Sequence, residues 1–91
     1  MPSDNMKKNR LTITVLAENT AQGMGLIGEH GLSLWVETPE FCVLFDTGQG
    51  LALPHNVKAL DVAVPGVDAI VLSHGHYDHT GGLSYALAQA P

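Results

Sequence analysis

The sequence has a single cysteine, only four basic residues and no long apolar run. Cys42 has no second thiol with which to pair, so no internal disulfide can form, and its place within an apolar run favours a packing role. Nine acidic residues outnumber the basic ones and give a formal net charge of −5, which argues against a nucleic-acid partner or an anionic membrane surface. We therefore expect a small-molecule partner.

Segments that could direct the chain to a membrane are also missing. The first ten residues, MPSDNMKKNR, contain no apolar run of the kind that a signal peptide needs, and the longest apolar runs, such as FCVLF, are too short to span a bilayer. We expect a cytoplasmic protein without a membrane partner, in which residues 1–10 form a disordered N-terminal segment. The chain of 91 residues, 45% of them hydrophobic, is long enough for one globular domain.

The regular pattern begins at LTITVL, residues 11–16. Leu11, Ile13 and Val15 alternate with threonines, which predicts a strand with these three residues on its buried face. A long loop that is rich in glycine and polar residues follows. Long loops in compact domains are often functional, so we expect this one to border a site.

The remaining segments indicate an α/β fold. LSLWVE and FCVLFD, residues 32–37 and 41–46, predict a β-hairpin in which Trp35 packs in the core. LALPHNVKALD predicts a short helix that opens at Pro54, and VDAIVLS predicts a further strand. HTGGLSYALAQA, residues 79–90, predicts one helix. The order β, ββ, α, β, α is typical of an α/β layer.

The densest chemistry lies in SHGHYDHTGG, residues 73–82, where the strand VDAIVLS ends. Its candidate metal ligands are His74, His76, Asp78 and His79. In an extended chain His74 and His76 project to the same side and can bind one ion. Asp78 and His79, at the turn into the next helix, can converge on a second ion. Imidazole with carboxylate and without thiolate suits zinc, with iron and manganese as alternatives.

The motif is a specific signal. At this chain's abundance of His and Asp, an H-x-H-x-D-H pattern arises by accident about one time in a thousand. Gly75, Gly81 and Gly82 fit a metal site, since they let the backbone pass close to crowded side chains. The competing interpretation is that the histidines are turn and helix-cap residues satisfied by backbone groups.

The motif and the segments before it resemble a known family. SHGHYDHTGG is similar to the metal-binding signature of the metallo-β-lactamase-fold hydrolases. EHGLSLWVE, FCVLFDTGQG and HNVKAL precede it in the order and spacing of the branch that contains the dihydropterin ribofuranosyl-aminobenzene-phosphate synthases. The resemblance implies that residues 11–91 are the N-terminal half of an αββα metallo-β-lactamase-type sandwich, truncated before its second half.

The same resemblance implies roles for the motif residues. His74 and His76 would bind one metal ion, and Asp78 and His79 would bind the other. Asp78 would also orient the water that the two ions activate, which makes it the candidate catalytic residue. The family's second half supplies a further histidine for each ion and a bridging carboxylate. Without them, two side chains per ion fall short of the three that a catalytic zinc site usually takes from protein.

Residues outside the motif have more open roles. By resemblance, Asp46 would be a supporting or structural carboxylate near the site, and Glu29 and His30 would face its rim. From the residues alone, Glu29 with His30 fits an acid–base pair and a solvated loop edge equally well. His55 beside Pro54 is expected at the surface, and nothing in the motif places His30 or His55 as a replacement ligand.

Three classes of function remain. The first is a metal-dependent hydrolase of the metallo-β-lactamase superfamily that uses two metal ions to activate water, incomplete and inactive as this fragment. Its full-length variant would be a pterin-precursor phosphate synthase-type transferase. The second is a non-catalytic metal-binding or interaction module, paired with itself as a homodimer or with the missing C-terminal half. The third is a soluble domain with no metal at all.

Overall fold

One four-stranded sheet organises the molecule. The computed structural model describes residues 10–19 and 25–90, so all but Arg10 of the N-terminal segment predicted to be disordered lies outside the described residues. In the order of the sheet, the strands are β1 (Thr12–Ala17), β2 (Ser33–Glu37), β3 (Cys42–Phe45) and β4 (Ala69–Val71). β2 pairs antiparallel with both β1 and β3. β3 and β4 are parallel, and their carboxyl ends therefore lie at the same edge.

A helix and a turn make the crossover that the parallel pair requires. Helix α1 (Ala52–Ala59) begins two residues before Pro54, which lies in its first turn, where a missing backbone N–H costs no helical hydrogen bond. A 3₁₀ turn, Val64–Gly66, then leads to β4. None of the helices within residues 10–19 and 25–90 is long and apolar enough to cross a membrane.

The hydrophobic core lies on the face of the sheet that α1 covers. Trp35 of β2 is paired with Leu44 of β3, and both pack against Leu53 and Val57 of α1. Trp35 is only 4% exposed, which confirms its predicted packing role. The core therefore joins the strands directly to the crossover helix.

The opposite face of the sheet is apolar and open. Ile13 is 54% exposed, and Val15 and Val71 are each 43% exposed. The prediction that Leu11, Ile13 and Val15 face the core is therefore wrong, because the helices among the described residues pack on the other face. The paired residues on this open sheet face are Ile13, Val36, Val43 and Ala69 in one row and Val15, Leu34, Phe45 and Val71 in the next.

The final helical segment is divided. Instead of one helix over residues 79–90, the structure has a short helix α2 (Tyr77–Thr80) and a helix α3 (Leu83–Gln89). The break falls at Gly81 and Gly82, whose backbone packs against the loop that follows β3. The sequence pattern missed this break because both glycines lie between residues with good helical spacing.

Asn56 of α1 fixes the loop that precedes β2. Its buried side-chain amide donates to the backbone carbonyls of Leu16, at 2.9 Å, and of Ile27, at 2.7 Å, and its Oδ1 accepts from the N–H of Ile27 at 2.8 Å. One side chain thus ties β1, α1 and the loop together. That loop continues to the edge where β3 and β4 end.

Candidate metal centre

The ligand motif follows the end of β4, and its four candidate side chains lie together. One ligand atom from each of His74, His76 and Asp78 lies within 4.8 Å of the others. The rings of His74 and His76 meet edge to face with centroids 4.6 Å apart, and the ring centroid of His79 is 4.2 Å from that of His74. The parallel pairing of β3 with β4 places this cluster beside the end of β3.

A buried carboxylate lies behind the histidines. Asp46 follows β3 with a φ of +56°, a left-handed conformation that Asp tolerates better than most residues, and its side chain is fully buried. Its Oδ1 accepts a hydrogen bond from the N–H of Ser73 at 2.8 Å. Its Oδ2 lies 2.7 Å from the hydroxyl of Ser73 and 2.6 Å from Nδ1 of His79. Asp46 therefore holds the position of a supporting carboxylate.

Hydrogen bonds keep the Asp46 carboxylate ionised. Burial alone raises the pKa of Asp46, but hydrogen bonds from the backbone and hydroxyl of Ser73 and from His79 favour the charged form, and the net pKa lies below its ordinary value. An ionised carboxylate only accepts hydrogen bonds, so Nδ1 of His79 is the donor. In the neutral imidazole, Nε2 of His79 then carries no proton, which is the state that a metal ligand needs.

Ser73 fixes the position of the ring proton of His74 in the same way. The hydroxyl of Ser73 donates its one proton to Asp46, and its oxygen is 2.8 Å from Nδ1 of His74. Because that proton is already used, Nδ1 of His74 is the donor in the second bond, and Nε2 is left unprotonated. No local sequence pattern indicates this role of Ser73. One buried carboxylate thus sets the tautomers of two candidate ligands.

Asp78 faces the unprotonated nitrogen of His79. It lies in the first turn of α2, and its Oδ2 is 3.5 Å from Nε2 of His79 and 3.4 Å from Nε2 of His30. In the neutral tautomer that Asp46 favours, Nε2 of His79 and the carboxylate oxygen both present lone pairs, and a cation between them would be bound by both. The pair therefore fits a metal site.

Glu29 has a structural role. It is neither half of an acid–base pair nor a solvated loop edge, the two roles that the sequence left open. Its Oε2 accepts from the N–H of Gln49 at 2.6 Å, and its Oε1 accepts from the N–H of Ala52 at 2.7 Å, at the start of α1. A carboxylate at this end of a helix satisfies backbone donors that lack helical partners. The expectation that Glu29 faces the site is wrong, whereas its neighbour His30 does face it.

The loop after β3 is fastened to α2. Thr47 donates to the carbonyl of His79 from its N–H at 2.7 Å and from its hydroxyl at 3.0 Å, and the N–H of Gly82 donates to that hydroxyl at 3.0 Å. A Cβ on Gly81 or Gly82 would overlap backbone oxygen of this loop, whereas a Cβ on Gly75 would meet nothing within 4 Å. Close backbone passage was therefore correctly expected at two of the three glycines and not at Gly75.

An open cavity of about 390 Å³ borders the cluster. Its lining includes His30, Asp78 and His79 together with Glu18 and Asn19, which follow β1. A cavity of this volume has room for part of a small molecule. Its contact with Asp78 and His79 places any such molecule beside the candidate ligands.

The donor set fits a divalent cation. Three imidazoles and one carboxylate suit zinc, iron or manganese, and the nitrogens that Asp46 and Ser73 leave unprotonated are those that such ions bind. His55 is exposed on α1, as predicted, and its ring contacts the backbone carbonyl of Gly25 instead of the motif.

Two proteins of Methanocaldococcus jannaschii are similar to the chain in sequence. An uncharacterized protein, MJ0448, is 41% identical over 76 residues, which cover 82% of this chain and 29% of that protein. The 7,8-dihydropterin-6-methyl-4-(beta-D-ribofuranosyl)-aminobenzene-5'-phosphate synthase is 36% identical over 83 residues, which cover 85% of this chain and 28% of the synthase. The chain thus spans less than a third of the length of the curated relatives it matches.

A solved structure and a family model agree with these relatives. The metallo-beta-lactamase fold protein YhfI from Bacillus subtilis superposes with a TM-score of 0.61 at 20% identity, over 87% of this chain and 30% of that one, and so shows the fold. The α/β prediction is confirmed. The assignment of residues 11–91 as an N-terminal half stays a prediction. Residues 26–91 match the model of the metallo-beta-lactamase superfamily, and the chain belongs to that superfamily.

Proposed function

We propose that this chain supplies part of the ligand set of a two-metal centre in a metal-dependent hydrolase that acts on a small-molecule substrate. The observation that supports this function most is the convergence of Asp78 Oδ2 and His79 Nε2, 3.5 Å apart. Asp46 supports it as well, because the buried carboxylate orients His79 directly and a second histidine through Ser73. The ligands are thus oriented before an ion binds.

Each motif residue has an assigned role in this proposal. His74 and His76 hold one ion, and Asp78 and His79 hold the other, with zinc as the first candidate and iron or manganese as alternatives. When bound, two divalent ions lower the pKa of a shared water towards neutrality and stabilise negative charge on a substrate. Asp78 would also accept a hydrogen bond from a water in the site and orient it, which is the catalytic role we assign to it.

The ligand set requires completion from elsewhere. Two side chains for each ion are fewer than the three that a catalytic zinc site usually takes from protein. We infer that the remaining ligands come from a further part of the protein or from a partner chain, and that these 91 residues alone bind ions without substrate turnover. The synthase relative makes a phosphate-bearing pterin precursor the alternative substrate class for the complete protein, with a transferase in place of a hydrolase.

Loss of two ligands tests the metal site. In the purified chain, the double variant His74→Ala/His76→Ala is expected to weaken zinc binding by more than about a hundredfold, since a lost ligand costs more than a lost orienting partner. Calorimetric titration gives the affinity, and elemental analysis gives the number of bound ions. His55→Ala is the matched control and should bind as the unchanged chain does. An unchanged chain that binds no ion at saturating zinc would rule out the proposal.

The open sheet face supports a second candidate, an interaction module. Its exposed Ile13, Val15 and Val71 form part of two continuous apolar rows, and surfaces of this kind mark association sites. If this face pairs with a second copy, sedimentation velocity should show a dimer that dissociates when Val15 is replaced by Lys. A monomer at high micromolar concentration would contradict self-association.

A further inference from the structure

A further side chain from the loop before β2 reaches the candidate metal centre. Nε2 of His30 lies 3.4 Å from Oδ2 of Asp78, the same oxygen that faces His79. The side chain of His30 is 74% exposed, so its contact with Asp78 lies on the solvent side of the cluster. His30 and Asp78 also line the cavity beside the centre.

The backbone on both sides of His30 is fixed by contacts with the motif and with the segment that leads into α1. The N–H of Leu32 donates to the carbonyl of Asp78 at 3.3 Å, and the carbonyl of His30 accepts from the side-chain amide of Gln49 at 2.6 Å. Gly31 lies so close to Asp78 that an added Cβ would overlap the carbonyl oxygen of Asp78. The preceding Glu29 is held by its two hydrogen bonds at the start of α1.

These contacts distinguish His30 from an ordinary exposed histidine. In EHG, residues 29–31, the glutamate fixes the loop, the glycine allows the backbone to approach Asp78, and the histidine is presented to the carboxylate between them. An imidazole on a free loop would lose both backbone and side-chain entropy on taking up one position. Here the backbone is already fixed by the fold, so only the side-chain entropy of the ring is lost.

We propose that His30 is a positioning residue for the metal ligand Asp78. Nε2 of His30 lies beside the oxygen that faces His79, and with its proton in place the ring would keep that oxygen directed towards the ion that Asp78 and His79 share. The inference rests on the proposed two-metal centre. It adds to that centre a residue from the loop before β2, at the mouth of the cavity.

The test compares substitutions at His30 with the exposed His55 as control. In the purified chain, His30→Ala is expected to weaken zinc binding about tenfold, the low end of the loss seen when an orienting partner of a ligand is removed. His30→Gln, which keeps an N–H donor on a side chain of similar reach, should recover most of that affinity. His55→Ala should bind as the unchanged chain does. Competition with a chromophoric zinc chelator measures all four affinities.

The visible spectrum of bound cobalt gives a second readout, because it reports the ligand geometry around the ion. His30→Ala should alter this spectrum, and His30→Gln should restore it. An affinity and a spectrum that are unchanged in His30→Ala overturn the inference, as does a loss that glutamine fails to restore. If the unchanged chain binds zinc no better than His74→Ala does, the two-metal centre itself fails. The two failures are therefore distinguishable.

Discussion

Asp46→Asn is expected to weaken zinc binding by about 10–100-fold although Asp46 touches no ion in the proposed centre. The substitution keeps the shape of the side chain but turns one acceptor into a donor. If the new NH₂ group takes the place of Oδ2, it faces Nδ1 of His79 and the hydroxyl of Ser73, which both donate to the carboxylate. Nδ1 of His79 must then accept, which moves the ring proton to Nε2 and removes the lone pair that a metal needs.

Asp68→Asn is the matched control for this substitution. The Asp68 carboxylate also accepts a backbone N–H, that of Cys42 at 2.7 Å, but at the opposite end of β3. Asp68→Asn should leave zinc affinity unchanged. Asp46→Asn should also lower the free energy of unfolding of the metal-free chain by about 1–3 kcal/mol, because a buried polar group loses partners. Denaturant titration measures this loss, and zinc affinity equal to that of the unchanged chain would contradict the orienting role of Asp46.

Gly81→Ala is expected to destabilise the chain by about 1–3 kcal/mol, the usual cost of inserting a methyl group into a packed site. Gly81 ends α2 with helical backbone angles, so helix propensity alone predicts the opposite sign, a gain of up to about 1 kcal/mol. Steric overlap decides the outcome, because the new Cβ would overlap the carbonyl group of Gln49 and backbone cannot move aside as a flexible side chain can. Thermal unfolding of the metal-free chain measures the effect.

Gly75→Ala is the control from the same motif. An added Cβ there meets nothing within 4 Å, so the melting temperature and zinc affinity of Gly75→Ala should stay close to those of the unchanged chain.

Gly81→Ala should also weaken zinc binding, since the displaced α2 carries Asp78 and His79. If Gly81→Ala raises the melting temperature, the close approach of Gly81 to Gln49 is wrong, and α2 and α3 join into one helix as the sequence pattern predicts.

The ligand motif could be read from the sequence because its chemistry is local. His74, His76, Asp78 and His79 lie within one short segment, so their proximity needs little knowledge of the fold. The alternation in β1 was also read correctly as a strand. The prediction of which face of β1 is covered was wrong, because alternation separates two faces without indicating which of them the helices cover.

The supporting residues depend on contacts between distant segments. Glu29 meets the start of α1 through a fold that brings together residues 20 or more positions apart, and no local pattern indicates this. Ser73 was within reach of prediction. Asp46 and Ser73 follow β3 and β4, and the carboxyl ends of neighbouring parallel strands meet at one edge. The contact between Asp46 and Ser73 was not predicted because the sequence alone does not show that these two strands are neighbours in the sheet.

The parallel pairing of β3 with β4 also sets the stage of folding at which the histidines of the motif can acquire their tautomers. The histidines of the motif emerge from the ribosome together, but the carboxylate that fixes their tautomers is joined to them only when β4 docks beside β3. Before that step the nascent chain offers ions a loose set of imidazoles, as an unfolded polypeptide does. In the proposed centre, the geometry that Asp46 imposes is therefore complete only after the crossover connection has formed, and an ion bound there would stabilise that connection as well as the motif.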